Sequence, residues 1–203
     1  FVALGIENLH QSVQWRDKTV ESAAAAFNAG AVADGTLRGR VTIVGRQSAA
    51  PLKDFHVYVV GPYGNPNTVT DDRGVFELRG PTGTYTMTVK KSGYFPATAT
   101  SHVQAGQTSN VDIQAVVIPG KLSGQVVIGR PASAAGFSIR FITEGVVEKT
   151  TVTNSAGKFD ADLPEASYLI EVTKAGYKPT TVTATVASGR PTKINPISMA
   201  PGR

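Results

Sequence analysis

Between Leu37 and Ile43 apolar and polar positions alternate: Leu37, Gly39, Val41 and Ile43 fall on one parity, Arg38, Arg40 and Thr42 on the other. A period of two is that of a strand with one buried face. The pattern returns at Leu122, Gly124, Val126 and Ile128, at Tyr85, Met87 and Val89, and at Tyr168, Ile170 and Val172. It returns again at Val182, Ala184 and Val186, which alternate with threonine. Phe55–Val60 and Phe137–Ile142 add one apolar run to each half. Glycine turns at Gly93, Gly106, Gly176 and Gly189 punctuate these runs, and the pattern predicts about seven short strands per half, packed as an antiparallel β-sandwich. In this reading Gly106 and Gly189 turn hairpins that return through Val111–Ile113 and Ile194–Ile197.

The period changes before residue 35. Ile6 to Phe27 contains no Gly or Pro, and Ile6, Val13, Val20 and Phe27 recur every seven residues, with Leu9 and Ala23 at the intermediate position. This predicts an amphipathic helix that stops at Asn28-Ala29-Gly30. Arg16 interrupts the stripe, and Trp15 lies two positions off it. Two readings stay open: the stripe lies on the chain's own sandwich, or it pairs with a helix of another subunit. In the second, Ile6, Leu9, Val13, Val20 and Phe27, with Trp15 on a second face, form the assembly interface.

The β-part is written twice. Val69-Thr70-Asp71-Asp72-Arg73-Gly74-Val75-Phe76 returns as Val152-Thr153-Asn154-Ser155-Ala156-Gly157-Lys158-Phe159, and Gly93-Tyr94-Phe95-Pro96 as Gly176-Tyr177-Lys178-Pro179. Such self-similarity marks a duplicated structural unit. The organisation expected is a helix and linker over 1–35, one sandwich over 36–119 and a second over 120–203. Asp71 and Asn154 occupy the first position of a four-residue turn and Gly74 and Gly157 the fourth, so the side chains of Asp71 and Asn154 should bond the backbone ahead.

The Thr-Asp-x-x-Gly-x-Phe pattern, followed by Gly-x-Tyr, a strand and Gly-Tyr, resembles the carboxypeptidase regulatory-like domain, a transthyretin-like (prealbumin-like) sandwich. The second copy departs at Asn154 and at Ala166. The fold expected is therefore mainly β, two tandem seven-stranded antiparallel transthyretin-like sandwiches preceded by an N-terminal amphipathic helix. The resemblance implies a non-catalytic accessory module of secreted or envelope proteins. The B-type repeats of bacterial surface adhesins are more distantly similar. A Lys-Asn isopeptide bond of the kind those relatives carry is not expected, because Lys121 has the opposite parity to the inward Leu122.

The 20 basic residues against 15 acidic ones are scattered, with Lys90-Lys91 the longest basic run, and this argues against a nucleic-acid stripe. With no cysteine, disulfides, thiolate metal sites and cysteine catalysis are excluded. His10, His56 and His102 have no zinc-site spacing and read as surface residues. Asp71, Asp72, Asp160 and Asp162 do not collect in one oxygen-rich loop, so no metal is expected. No nucleophile elbow, P-loop or dinucleotide fingerprint occurs, so neither a cofactor nor an enzyme is expected. The apolar Phe1–Ile6 is read as the edge left by signal cleavage or the stub of a longer hydrophobic segment, and any membrane contact would run through it.

The function expected is a structural subunit of an extracellular or periplasmic assembly, with other protein subunits as partners in a homo-oligomer or larger envelope complex. The alternative is a glycan-binding module using Tyr63, Tyr94, Phe95 and Tyr177, although the repetition of Tyr94 as Tyr177 argues for a packing role. The threonine-rich edge Thr180–Thr185 is a further candidate surface, suited to accept a partner's strand.

Overall fold

The computed structural model describes residues 33–62, 64–129 and 133–202. The predicted helix, with Ile6, Leu9, Val13, Trp15, Val20 and Phe27, lies outside the described residues, as does Tyr63. The first unit contains β1 (Asp34–Val44), β2 (His56–Val60), β3 (Asn67–Val69), β4 (Val75–Pro81), β5 (Gly83–Lys90), β6 (Ala97–Val103) and β7 (Thr108–Val116). The second contains β8 (Gly120–Ile128), β9 (Ser138–Thr143), β10 (Val146–Val152), β11 (Lys158–Leu163), β12 (Ala166–Thr173), β13 (Thr180–Val186), β14 (Pro191–Lys193) and β15 (Ile197–Met199).

Each unit is two sheets over one core. In the first, β4-β1-β7 faces β3-β2-β5-β6; in the second, β11-β8-β14, with β15 also on β8, faces β10-β9-β12-β13. The inward parities are those read from the sequence: Leu37, Val41, Val57, Met87 and Val89 fill one core, and Leu122, Phe141, Ile170 and Val172 the other. Phe76 and Phe159 are buried, and Phe76 lies across Gly39, leaving no room there for a side chain.

Two expectations require correction. The sandwiches are not wholly antiparallel, because β7 runs parallel to β1, and β14 and β15 run parallel to β8. The turns at Gly106 and Gly189 are accordingly not hairpins; each carries the chain from one sheet to the other. Alternation reports which face of a strand is buried but not the direction of its neighbour, so the pattern could not separate the two. The second correction concerns the last strand of the second unit. β7 keeps one register with β1 from Thr36↔Thr108 to Val44↔Val116, whereas its counterpart pairs Lys193 with Ser123 and then Ile197 with Val126. Three residues on one strand face two on the other, and this bulge, containing Pro196 with no N–H to donate, splits the strand into β14 and β15. The second unit thus has eight strands where seven were expected.

The repeated motif forms the expected turn. Asp71 Oδ1 accepts hydrogen bonds from the backbone N–H groups of Arg73 (2.9 Å) and Val75 (2.8 Å), and Asn154 Oδ1 accepts from Ala156 and Lys158, both at 3.0 Å. The Val75 N–H is the main cause holding the Asp71 carboxyl below its ordinary pKa. A depressed carboxyl pKa stabilises the fold above the unfolded-state value, and that stabilisation is lost as pH falls through the folded-state one. Asp71→Asn, which copies the second repeat, is therefore expected to flatten the acid limb of the first unit's stability below about pH 4. Urea titrations at a series of pH values check this; an unchanged acid limb would show that Asp71 does not supply it.

Beside each turn lies a buried threonine. Thr70 Oγ1 accepts from Phe55 N–H at 3.1 Å and donates to the Leu52 carbonyl, while Thr153 Oγ1 accepts from Phe137 N–H at 3.0 Å and donates to the Ala134 carbonyl at 2.6 Å. This explains why Val-Thr precedes the turn in both copies. Thr153→Val leaves a buried donor and a carbonyl unpaired at nearly constant volume, with an expected loss of about 1–3 kcal/mol. Chemical denaturation measures it.

Candidate interaction surfaces

The repeated Lys-x-Gly-Tyr segments build a matched pair of lids over the cores. Tyr94 packs its ring 5.0 Å from that of Phe55, and Tyr177 stands 4.9 Å from Phe137, edge to face. Lys91 Nζ sits 4.8 Å from the centroid of the Phe55 ring and Lys174 Nζ 4.8 Å from that of Phe137. Each ammonium also donates to loop carbonyls, Lys91 to those of Pro51 and Lys53 and Lys174 to that of Ala135. Burial pushes the Lys91 pKa down. Sequence reading missed both lysines; the signal was there, since Lys91 and Lys174 occupy the same repeat position. Of the aromatic candidates for sugar stacking, Tyr94 and Tyr177 thus have ring area committed to the core, whereas Phe95 is 51% exposed. Tyr94 and Phe95 belong to the first unit and Tyr177 to the second.

A second feature joins the units. The β10–β9 register shifts between Val147 and Lys149, so Glu148 is an extra residue in its strand. Its carboxylate reaches the loop after β1, where Oε1 accepts from Gln47 N–H at 2.6 Å and Oε2 from Ser48 N–H at 2.9 Å. Ser48 is buried, and its hydroxyl accepts from Arg46 Nη2 at 2.7 Å and Nε at 3.2 Å. Beneath, Tyr168 donates to the Pro164 carbonyl at 2.9 Å; burial first, and then the Glu148 charge, drive its pKa upward. The segment joining β7 to β8 is also held: Ile118 N–H bonds the Gly93 carbonyl at 2.8 Å and Gly189 N–H the Pro119 carbonyl at 3.2 Å. A carboxylate taking two consecutive backbone N–H groups makes two charge-assisted bonds, each stronger than a neutral one. Glu148→Ala is expected to uncouple the units, turning one calorimetric unfolding transition into two; a single unshifted transition would show that the contact carries no coupling.

The remaining surfaces are strand edges and outer faces. On the first unit threonines pair across β5 and β6, Thr88 with Thr98 at 3.3 Å and Thr86 with Thr100 at 3.5 Å. On the second, β13 ends its sheet and offers an open edge, as expected for Thr180–Thr185. A groove of about 470 Å³ follows it, lined by Thr183, Thr185, Thr192 and Pro196. Lys121, on the outer face as its parity predicted, pairs with Asp160 at 3.1 Å. His56 and His102 are exposed, and among the described residues no three His, Asp or Glu side chains come together.

The Bacillus anthracis TIE protein shares the fold at a TM-score of 0.59, with 19% sequence identity over 82% of this chain and 34% of that one. The chain therefore spans about a third of that protein's length. A streptococcal ancillary pilin aligns at a TM-score of 0.37 with 15% identity, over 81% of this chain and 63% of its own. A minor pilin of Streptococcus agalactiae aligns at 0.36 with 13% identity, over 83% of this chain and 98% of its own. No curated protein matches the sequence. The model of the carboxypeptidase regulatory-like domain matches twice, at residues 36–116 and 121–199, and the chain belongs to that family as two tandem copies.

Proposed function

We propose that this chain is a non-catalytic structural and protein-interaction subunit of an extracellular or periplasmic assembly, a cell-envelope complex or filament. In this reading residues 1–35 supply the assembly helix and linker, the sandwiches over 36–119 and 120–203 act as spacer and contact surface, and the partners are other protein subunits, copies of this chain among them. The observation that carries the reading is the grip of Glu148 on Gln47 and Ser48. A chain serving only to tether two modules needs no such contact; a spacer that transmits position does. The relative exposure of Phe95, 51%, supports a second reading as a glycan-binding module, with Tyr63 as its other contact.

Light scattering on the full chain and on a chain beginning at Gly35 tests the first reading. The full chain is expected to form oligomers or fibres and the shortened one to lose them. Two monomers would remove the helix as assembly element, and saturable polysaccharide binding lost in Phe95→Ala would then establish the second reading.

A further inference from the structure

We propose that the β13 edge pairs antiparallel with the same edge of a second copy, about a two-fold axis at Thr183. The proposal rests on the assembly reading above and names a contact within it. The backbone fixes which groups are free. Thr153 N–H bonds the Phe137 carbonyl, so odd-numbered residues of the segment leading through β9 turn their backbone groups to β10 and even-numbered ones to β12. Carried through Thr173↔Ser138 and Tyr168↔Ala184, this parity turns the N–H and C=O of Thr181, Thr183 and Thr185 away from β12. The Thr192 hydroxyl, which approaches the Thr185 carbonyl from that outer side at 3.4 Å, agrees.

Sheet edges are ordinarily guarded against pairing by shortness, charge, proline or a bulge. The other edges described have such a guard. β3, β14 and β15 have three residues each; β4 carries Glu77 and Arg79; β7 carries Asp112; β10 is bulged at Glu148 and carries Lys149; β11 carries Asp160 and Asp162. β6, the counterpart of β13, carries the exposed His102 where β13 has Thr185. β13, Thr-Thr-Val-Thr-Ala-Thr-Val, has no charge, proline, glycine or bulge over seven residues.

The strand is also nearly a palindrome, which points to a second copy as occupant. Centred on Thr183, antiparallel pairing sets Thr181 against Thr185, Thr183 against itself and Val182 against Ala184. The outer face then becomes threonine on threonine, a pairing the first unit already makes between β5 and β6. The Thr183 pair would exchange both N–H···O bonds, the Thr181–Thr185 pairs would do so as the Thr185 carbonyl gives up its long bond from the Thr192 hydroxyl, and no charge within the strand meets its like. The groove along this edge, lined on its far side by Thr192, Lys193 and Asn195, is where the partner strand would lie.

The absence of cysteine gives a direct test in the full chain. Hydrogen-bonded antiparallel partners stand about 5.5 Å apart at Cα, within disulfide range. Thr183→Cys is expected to give a covalent dimer under mild oxidation, whereas Thr100→Cys, the same position on β6, gives little. Thr183→Lys, which sets two ammonium groups face to face at the axis, is expected to weaken self-association at least tenfold by sedimentation with an unchanged circular-dichroism melt. Cross-linking no faster in the Thr183→Cys chain than in the Thr100→Cys chain overturns the proposal. If oligomers vanish on removing residues 1–34 yet ignore Thr183→Lys, the edge pairing is wrong and the assembly reading stands. A full chain monomeric at every concentration overturns the pairing, and a strand from a different protein becomes the occupant to seek.

Discussion

Phe137→Ala is expected to lower the stability of the second sandwich by about 3–5 kcal/mol, the cost of emptying a closed aromatic site. Phe137 is fully buried at the start of the segment leading into β9. Its ring carries more than its own burial: the Tyr177 edge rests on it, and Lys174 holds its charge over its face. Removing the ring leaves that ammonium, already partly buried, without its aromatic partner. A urea midpoint that falls with little change in slope is the expected signature. A loss below about 1 kcal/mol would show that neighbouring side chains collapse into the space.

Gly157→Val is expected to damage the same sandwich nearly as much, for a backbone reason. Gly157 has φ +72°, and a Cβ there would strike the Val126 carbonyl oxygen of the adjoining strand. The left-handed conformation costs a side-chain-bearing residue about 1–2 kcal/mol, and forcing β11 and β8 apart adds about 1–3 kcal/mol. Gly145 separates the two contributions, since its φ is +77° and its Cβ position is open within 4 Å. Gly145→Ala should lose only the conformational part, and equal losses at the two sites would show that the clash is relieved without cost.

Much of the fold was legible because the chain writes it twice. Parity alone placed Leu37, Met87, Tyr168 and Ile170 inside, and the Asp71 and Asn154 turns follow from side-chain chemistry at fixed spacing. Strand direction was not legible: Val111–Ile113 reads the same whether β7 runs with β1 or against it. The bulge at Ile194–Pro196 was hidden too, because one added residue in a short strand leaves its composition unchanged. The surface was harder still. Glu148 looked like any polar residue of a strand, and only the register shift beside it, together with a loop a hundred residues earlier, turns it into a tie between the units. Lys91 and Lys174 were visible as a repeated pair, yet what they cap is set by the aromatic rings beneath them.

The proposed role requires the two sandwiches to be held in one fixed relation. The distance distribution between spin labels on Thr98→Cys and Val152→Cys, in full chain diluted with unlabelled protein, tests it most directly, since both positions are exposed and no other cysteine competes. A single narrow distribution that broadens when Glu148 is replaced by alanine is the predicted result. A broad distribution in the unaltered chain would contradict it, leaving two modules on a loose tether.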